Sequence, residues 1–189
     1  METHPITLCR HGETAWSSSG QHTGLTDLPL TETGRSQAEA LGKKLHDTKF
    51  SHVFSSPLLR ARETCERAGF GHQTTIQSLI AEWNYGDYEG LTRLEIEQVN
   101  PQWDLFRDGA PGGETPGQVA DRADRMIKTL KLLPGPILLF SHGHFLRMLA
   151  ARWLGLPSDG AKYFTLSVAS MSVLGVEKEQ PVIIHWNSY

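Results

Sequence analysis

The apolar run at residues 137–140 constrains the fold most, because Pro134-Gly135-Pro136 precedes it and a serine follows it. Four apolar residues enclosed in this way are typical of a strand buried on both faces, as in a parallel sheet. A helical pattern with a 3.6-residue period begins at Thr115-Pro116 before this strand, and an apolar helical pattern runs to about Leu154 after it. Strands that alternate with helices in this order predict an α/β domain.

Predicted strands and helices also alternate in the other parts of the chain, and no repeat or linker divides the sequence. We therefore predict a single domain over residues 1–189. Thr31 is expected to cap one helix. Ser56 and Pro57 are expected to supply the N-cap and first residue of another helix that ends near Arg67. Further predicted elements are strands at residues 52–55, 74–79, 171–176 and 181–186, a helix at 93–99, and loops at 16–26 and 81–90.

Composition and charge exclude several classes of protein. The 189 residues are 39% hydrophobic, which is enough for a substantial core. A net charge of −3 and a pI near 6.3 argue against nucleic acid or an anionic membrane as the main partner. Two cysteines, Cys9 and Cys65, are too few for a secreted disulfide scaffold. The sequence shows neither a signal-peptide pattern nor an apolar stretch that spans a bilayer, so we expect a cytoplasmic protein.

The string Arg10-His11-Gly12 follows a short apolar segment that includes Ile6 and Leu8. Because Gly12 allows a tight turn, Arg10 and His11 are expected at the carboxyl end of a strand, where open α/β sheets build their binding crevices. An imidazole beside a fixed cation can act as a nucleophile toward an anionic group such as phosphate.

Two more polar residues stand where a predicted strand passes into a helix. Arg60 falls in a first helical turn, where a cation is unfavourable unless an anion lies nearby; an ordinary surface arginine is the alternative. His142, in the string Ser141-His142-Gly143-His144, stands at a helix start that favours anions; a buried core histidine is the alternative. His142 and His144 could also hold a metal, but no Cys, Asp or Glu flanks them.

Glu82 offers a carboxyl group among aromatic residues in the loop at 81–90. Partial burial would favour its protonated form and let it carry a proton near neutral pH. A glutamate that only caps a neighbouring segment is the alternative, and Asp87 and Glu89 could take the same chemical role.

Two imidazoles, two guanidiniums and one carboxyl are the groups that phosphoryl transfer through a phosphohistidine needs. The arginines would bind the phosphoryl oxygens bidentately, while one histidine attacks and the other donates a hydrogen bond to the developing charge. The carboxylic acid would protonate the leaving alkoxide and, as a carboxylate, would then activate water. Since no set of metal ligands accompanies them, we expect neither a metal nor a cofactor.

These motifs resemble, in order, those of the histidine phosphatase superfamily, which has the phosphoglycerate-mutase-like fold. The similarity rests on Arg10-His11-Gly12-Glu13-Thr14, on Ser56-Pro57 followed by Arg60, and on Ser141-His142-Gly143-His144. It implies a three-layer α/β sandwich, in which helices flank a mostly parallel mixed sheet. It also implies that His11 is the phosphorylated nucleophile, that Glu82 is the proton donor, and that Arg10, Arg60 and His142 complete the phosphate pocket.

Within the superfamily, residues 20–27, 82–90, 106–109 and 144–147 most resemble histidine-type sedoheptulose 1,7-bisphosphatases and small acid phosphatases. Arg147, about one turn into its helix, could reach a second anionic group. By this similarity the substrate side would be lined by His22, Thr23, Gly24, Trp83, Asn84, Tyr85, Gly143 and Arg147.

The function expected from the sequence is metal-independent hydrolysis of a small phosphorylated metabolite, such as sedoheptulose 1,7-bisphosphate or another sugar phosphate. Phosphoglycerate mutase is the nearest alternative, but mutases of the superfamily look longer and more basic where this chain has residues 91–113. A module that binds a phosphorylated ligand without turnover is a second alternative. We expect a monomer or a homodimer, because residues 182–184 could pair across a dimer edge or within the sheet.

Overall fold

Six strands form one mixed sheet in the computed structural model, which describes residues 4–189. Four neighbouring strands are parallel, and the last two in the chain run antiparallel to their neighbours. The predicted α/β class, with a mostly parallel mixed sheet, is therefore confirmed. The strands are β1 (Ile6–Arg10), β2 (His52–Ser55), β3 (Thr74–Ile76), β4 (Ile137–Ser141), β5 (Met171–Glu177) and β6 (Gln180–Ser188), in the spatial order β3-β2-β4-β1-β5-β6.

Most helices in the described part of the chain begin directly after a residue whose side chain caps them. Thr31 and Thr115 accept hydrogen bonds from the first helical turn, as Thr14 and Thr92 do elsewhere. None of the helices in residues 4–189 is long and apolar enough to cross a membrane. They are α1 (Ala15–Ser19), α2 (Glu32–Leu45), α3 (Leu59–Arg67), α4 (Arg93–Val99), α5 (Leu105–Asp108), α6 (Pro116–Leu132) and α7 (Gly143–Trp153).

The central strand β4 shows why the sheet is covered on both faces. Ile137 and Leu139 pack into one hydrophobic cluster with residues of α6 and α7, whereas Leu138 and Phe140 pack into another with residues of α2 and α3. Side chains alternate across a strand, so a run that is apolar throughout needs an apolar layer on each side. The helices and the sheet thus form three layers.

Three details of the predicted elements are wrong. The loop at residues 16–26 begins with α1, because Thr14 and Ser17 cap each other reciprocally. The strand predicted at 74–79 ends at Ile76 and is followed by a 3₁₀ turn, Ser78–Ile80. Ser56 is not the N-cap of α3: the helix begins at Leu59, and the Ser56 hydroxyl bonds the imidazole of His142 instead.

The parallel pairing of β1 with β4 fixes the position of the two predicted site histidines. Arg10 lies opposite Ser141 in this register, so that His11 and His142 each follow at the same edge of the sheet. The backbone N–H of His11 donates to the carbonyl of Ser141 at 3.0 Å, which carries the pairing one step beyond the strands. Both imidazoles therefore lie at the same edge of the sheet.

Candidate active site

A cavity of about 170 Å³ opens at the carboxyl ends of β1 and β4. Eight of the residues predicted from the sequence line it: Arg10, His11, His22, Thr23, Glu82, Tyr85, Gly143 and Arg147. The lining also includes five residues that were not among those predicted: Ser17, Gly20, Gln21, His144 and Leu166. Gly20 and Gln21 directly precede His22 in the stretch at 20–27, which is the sequence signal for them, whereas nothing near Leu166 in the sequence marks it.

His11 is held in one orientation beneath this cavity. Its Nδ1 lies 2.7 Å from the carbonyl oxygen of Gly12, so Nδ1 carries the proton and donates it, and Nε2 keeps a free lone pair. Burial lowers the pKa of His11 well below its usual value, and the cations of Arg60 and Arg10 lower it further. The ring is therefore a neutral base whose Nε2 can attack an electrophile.

Arg10 presents an unused edge of its guanidinium beside His11. Its Nη1 donates to the carbonyl of Leu166, while its Nε is the one buried side-chain nitrogen or oxygen of the described residues that has no hydrogen-bond partner. Gly143 makes room for this arginine, since a Cβ there would lie 3.2 Å from the Arg10 Cζ. A buried donor without a partner is costly, and an anion bound in the cavity would satisfy it.

Arg60 and His142 lie directly behind the cavity and do not line it. Arg60 is fully buried, and its Nε–H donates to the Nδ1 of His142 at 3.1 Å. Its other guanidinium nitrogens donate to the backbone carbonyls of Thr23, Gly24 and Thr26 at 2.8–3.1 Å. Arg60 is thus no surface arginine: four of its five guanidinium N–H groups bind His142 and the loop at 23–26, and its predicted contact with phosphate stays a prediction.

His142 is likewise satisfied by protein groups on both ring nitrogens. Since Nδ1 accepts from Arg60, Nε2 carries the proton and donates to the Ser56 hydroxyl at 2.7 Å. Burial and the charge of Arg60 lower the pKa of His142 well below its usual value. The His11 and His142 ring centroids are 5.2 Å apart and tilted by 57°, so the two imidazoles lie close together, although His11 lines the cavity and His142 does not.

Glu82 both caps a helix and faces the cavity. Its Oε1 accepts backbone N–H groups of Trp83 and Phe145 at 2.9 Å, and its Oε2 accepts that of His144 at 3.1 Å. Two of these three donors belong to the first turn of α7. Oε1 is therefore saturated, and Oε2 keeps a lone pair that can hold or accept a proton.

Glu89 and Asp87, the alternative candidates for the proton donor, lie away from the cavity. Glu89 uses its Oε1 to accept the N–H groups of Gly24 and Thr26, which fixes the loop that also binds Arg60. Asp87 is exposed and lies beside Gly112. Neither side chain lines the cavity, whereas Glu82 does.

Three residues predicted on the substrate side do not reach the cavity. Trp83 is fully buried, and its indole N–H donates to the Glu114 carbonyl at 2.8 Å. Asn84 turns its side-chain oxygen to the backbone N–H of Gly86. Gly24 is buried under the loop with its N–H on Glu89 and its carbonyl on Arg60. Backbone contacts anchor the segments that carry these residues, so the three residues do not line the cavity, and their place on the substrate side stays a prediction.

Aromatic and imidazole rings form one wall of the cavity. The rings of His22 and His144 are stacked 6.0 Å apart at 8°, and Tyr85 meets each of them edge-on. The Tyr85 hydroxyl bonds Nδ1 of His144, and burial lowers the pKa of that imidazole well below its usual value. Within residues 4–189, no three His, Cys, Asp or Glu side chains are grouped as a metal ion would need.

Comparison with known proteins shows the family of the chain. Residues 6–189 match the family model of the histidine phosphatase superfamily, branch 1. An acid phosphatase of Mycobacterium tuberculosis is 40% identical over 181 residues, which cover 94% of this chain and 89% of that protein. A sedoheptulose 1,7-bisphosphatase of Saccharomyces cerevisiae is 36% identical over 183 residues, covering 79% of this chain and 67% of that protein.

The solved structures give the same result. The structure of an open reading frame from Mycobacterium tuberculosis has a TM-score of 0.94 and 39% identity, and the match covers 98% of this chain and 97% of that one. The chain therefore belongs to the histidine phosphatase superfamily, and it is a phosphatase of that superfamily.

The lowered pKa of His11 leads to a test by NMR. An unperturbed histidine gains its second proton around pH 6.5, whereas the His11 ring should stay neutral well below that pH. Its ring nitrogens, followed by ¹⁵N NMR during an acid titration, should keep the Nδ1–H form through pH 6.5. Because the folded state then binds fewer protons than the unfolded chain, this histidine's contribution to stability is complete above pH 6.5 and is lost below it. A midpoint at or above 6.5 contradicts the prediction.

Proposed function

We propose that this protein hydrolyses small phosphorylated metabolites, sugar phosphates or bisphosphates, through a phosphohistidine on His11 and without a metal ion. The observation that carries the proposal is the free Nε2 of a neutral His11 beside the unpartnered guanidinium edge of Arg10. A nucleophile and an anion-binding fork at one cavity are what phosphoryl transfer to histidine requires.

The first step would form the bond from phosphorus to His11 Nε2 while the bond from phosphorus to the ester oxygen breaks. Arg10 would hold the phosphoryl oxygens through Nε and Nη2, and the N–H of Gly143, at the start of α7, would add a backbone donor. Glu82 would give a proton from Oε2 to the departing alkoxide, so the alcohol leaves neutral.

The second step would reverse these roles. Water would attack phosphorus, the bond to Nε2 would break, and the Glu82 carboxylate would take the proton that the water loses. Inorganic phosphate then leaves and His11 regains its free lone pair, while Nδ1 keeps its proton and donates a hydrogen bond to the Gly12 carbonyl throughout.

Arg60 and His142, which lie behind the wall of the cavity, would support this chemistry. Their mutual hydrogen bond keeps His142 neutral, and the buried charge of Arg60 favours both a dianionic group in the cavity and the neutral form of His11. Arg60 would also fix the loop at 23–26, from which Thr23 reaches the cavity.

The substrate would carry a second anionic group in addition to the phosphate that is hydrolysed. A smaller cavity of about 120 Å³ adjoins the first and shares His22, His144 and Arg147 with it; two further cations, Arg93 and Lys162, and one carboxylate, Asp104, also line it. Arg147 stacks on Phe106 at 4.6 Å, and burial lowers its pKa, so its cation lacks full hydration. A bisphosphate or a phosphorylated acid would supply the missing charge.

Turnover of 4-nitrophenyl phosphate in the presence of a chelator tests the main proposal. The wild-type protein should release phosphate at an undiminished rate, and His11→Ala should lower kcat at least about a thousandfold, because it removes the nucleophile. His72→Ala, an exposed histidine away from the cavity, should leave the rate unchanged. Full activity in His11→Ala, or its loss in chelator, contradicts the proposal. Transfer of phosphate to added glycerate instead of water would favour the mutase alternative.

Arg147→Met tests the second anion. We expect KM for a sugar bisphosphate to rise about 10- to 100-fold, the worth of a charged hydrogen bond, with a much smaller rise for the matching monophosphate. Arg125→Met, on the exposed face of α6, is the matched control for loss of one positive charge. An equal rise for both substrates would show that Arg147 does not read a second anionic group.

A further inference from the structure

Outside the cavity, an ion pair between Arg122 and Glu114 is hydrogen-bonded to the segment that carries Glu82. Arg122, in the second turn of α6, donates from Nε and Nη2 to the two carboxylate oxygens of Glu114 at 2.7 and 2.9 Å. Its remaining N–H groups donate to the backbone carbonyls of Leu79, Ala81 and Glu82 at 2.6, 3.1 and 3.4 Å. All five donors of one guanidinium are thus used, three of them on residues 79–82.

Glu114 holds the other side of Glu82. Its Oε2 accepts the backbone N–H of Asn84 at 3.0 Å, and its carbonyl accepts the indole N–H of Trp83 at 2.8 Å. Its own N–H donates to the carbonyl of Asn84 at 2.9 Å. The backbone on both sides of Glu82 is therefore tied to one partly buried charge pair.

Phe145 links this pair to the carboxyl group itself. Its backbone N–H donates to Glu82 Oε1 at 2.9 Å, and its ring lies under the Arg122 guanidinium, 5.0 Å from ring centroid to Cζ. A shift of Arg122 would move the backbone of residues 79–82 and the packing of Phe145 together.

We propose that Arg122 and Glu114 are positioning residues for proton transfer by Glu82, and this rests on the proposed function, in which Glu82 protonates the leaving oxygen. A planar guanidinium is needed, because a lysine ammonium has three donors and cannot bind a carboxylate bidentately while reaching three carbonyls. Proton transfer requires the donor within hydrogen-bond distance of the leaving oxygen, so a small displacement of Glu82 slows it.

The test compares leaving groups in Arg122→Lys. The value of kcat/KM reports the steps up to departure of the alcohol, which depends on a proton for an alkyl phosphate such as glycerol phosphate. Departure of the leaving group from 4-nitrophenyl phosphate depends little on a proton, because the phenolate that leaves is stable. We expect kcat/KM to fall about thirtyfold for glycerol phosphate and no more than about threefold for the aryl ester.

Arg152→Lys is the matched control, because Arg152 binds Asp124 bidentately at 2.9 and 2.8 Å and donates to a carbonyl, that of Leu156. It should change both substrates equally. If Arg122→Lys folds poorly, Glu114→Gln replaces it, since the amide removes the charge and one acceptor from the pair. An equal loss on both substrates, or no loss on either, in a folded variant overturns the positioning role.

Glu82→Gln separates this proposal from the one on which it rests. If Glu82 is the acid, this variant shows the same leaving-group dependence with a larger loss, of order 10²- to 10⁴-fold on glycerol phosphate. If Glu82→Gln shows no such dependence, the proposed function fails at the acid. Dependence in Glu82→Gln but not in Arg122→Lys or Glu114→Gln means that only the positioning proposal fails.

Discussion

The parallel register of β1 and β4 is the constraint on which the site depends. Because Arg10 lies opposite Ser141, the residues that follow them, His11 and His142, leave the sheet at one edge with ring centroids 5.2 Å apart. The apolar run of β4 fixes this register from inside, since its alternate side chains fill the cores on both faces and a one-residue slip would exchange them. The chemistry therefore relies on core packing for its geometry.

The guanidinium groups of Arg10 and Arg60 dominate the electrostatics of the site. Burial lowers the pKa of Arg10 and Arg60, and within residues 4–189 neither guanidinium forms an ion pair, so both remain under-compensated cations beside neutral imidazoles. The carboxylate of Glu82 is itself stabilised by three backbone N–H groups. A phosphate dianion in the cavity would offset the cost of the buried cations, so in the proposed function the same arrangement would both bind and activate a phosphoester.

The sequence predicts what depends on strand order and local capping, and less of what depends on loop paths. Thr31 and the meeting of His11 with His142 follow from short-range chemistry and parallel pairing. The burial of Trp83 and the hydrogen bonds of Arg60 to the loop at 23–26 depend on loops whose anchors, such as Glu89, lie far away in the chain. Nothing in the helical pattern of α6 distinguishes Arg122 from an exposed arginine, because its five acceptors come from residues 79–82 and 114.

The nitrogen that carries the phosphoryl group tests the central claim most directly. Since Nδ1 of His11 donates to the Gly12 carbonyl at 2.7 Å, only Nε2 is free to attack. Phosphoenzyme trapped during turnover and examined by ³¹P and ¹⁵N NMR should hold phosphorus on Nε2 of His11. Phosphorus on Nδ1 or on another residue, or turnover with no phosphorylated protein, would contradict the account.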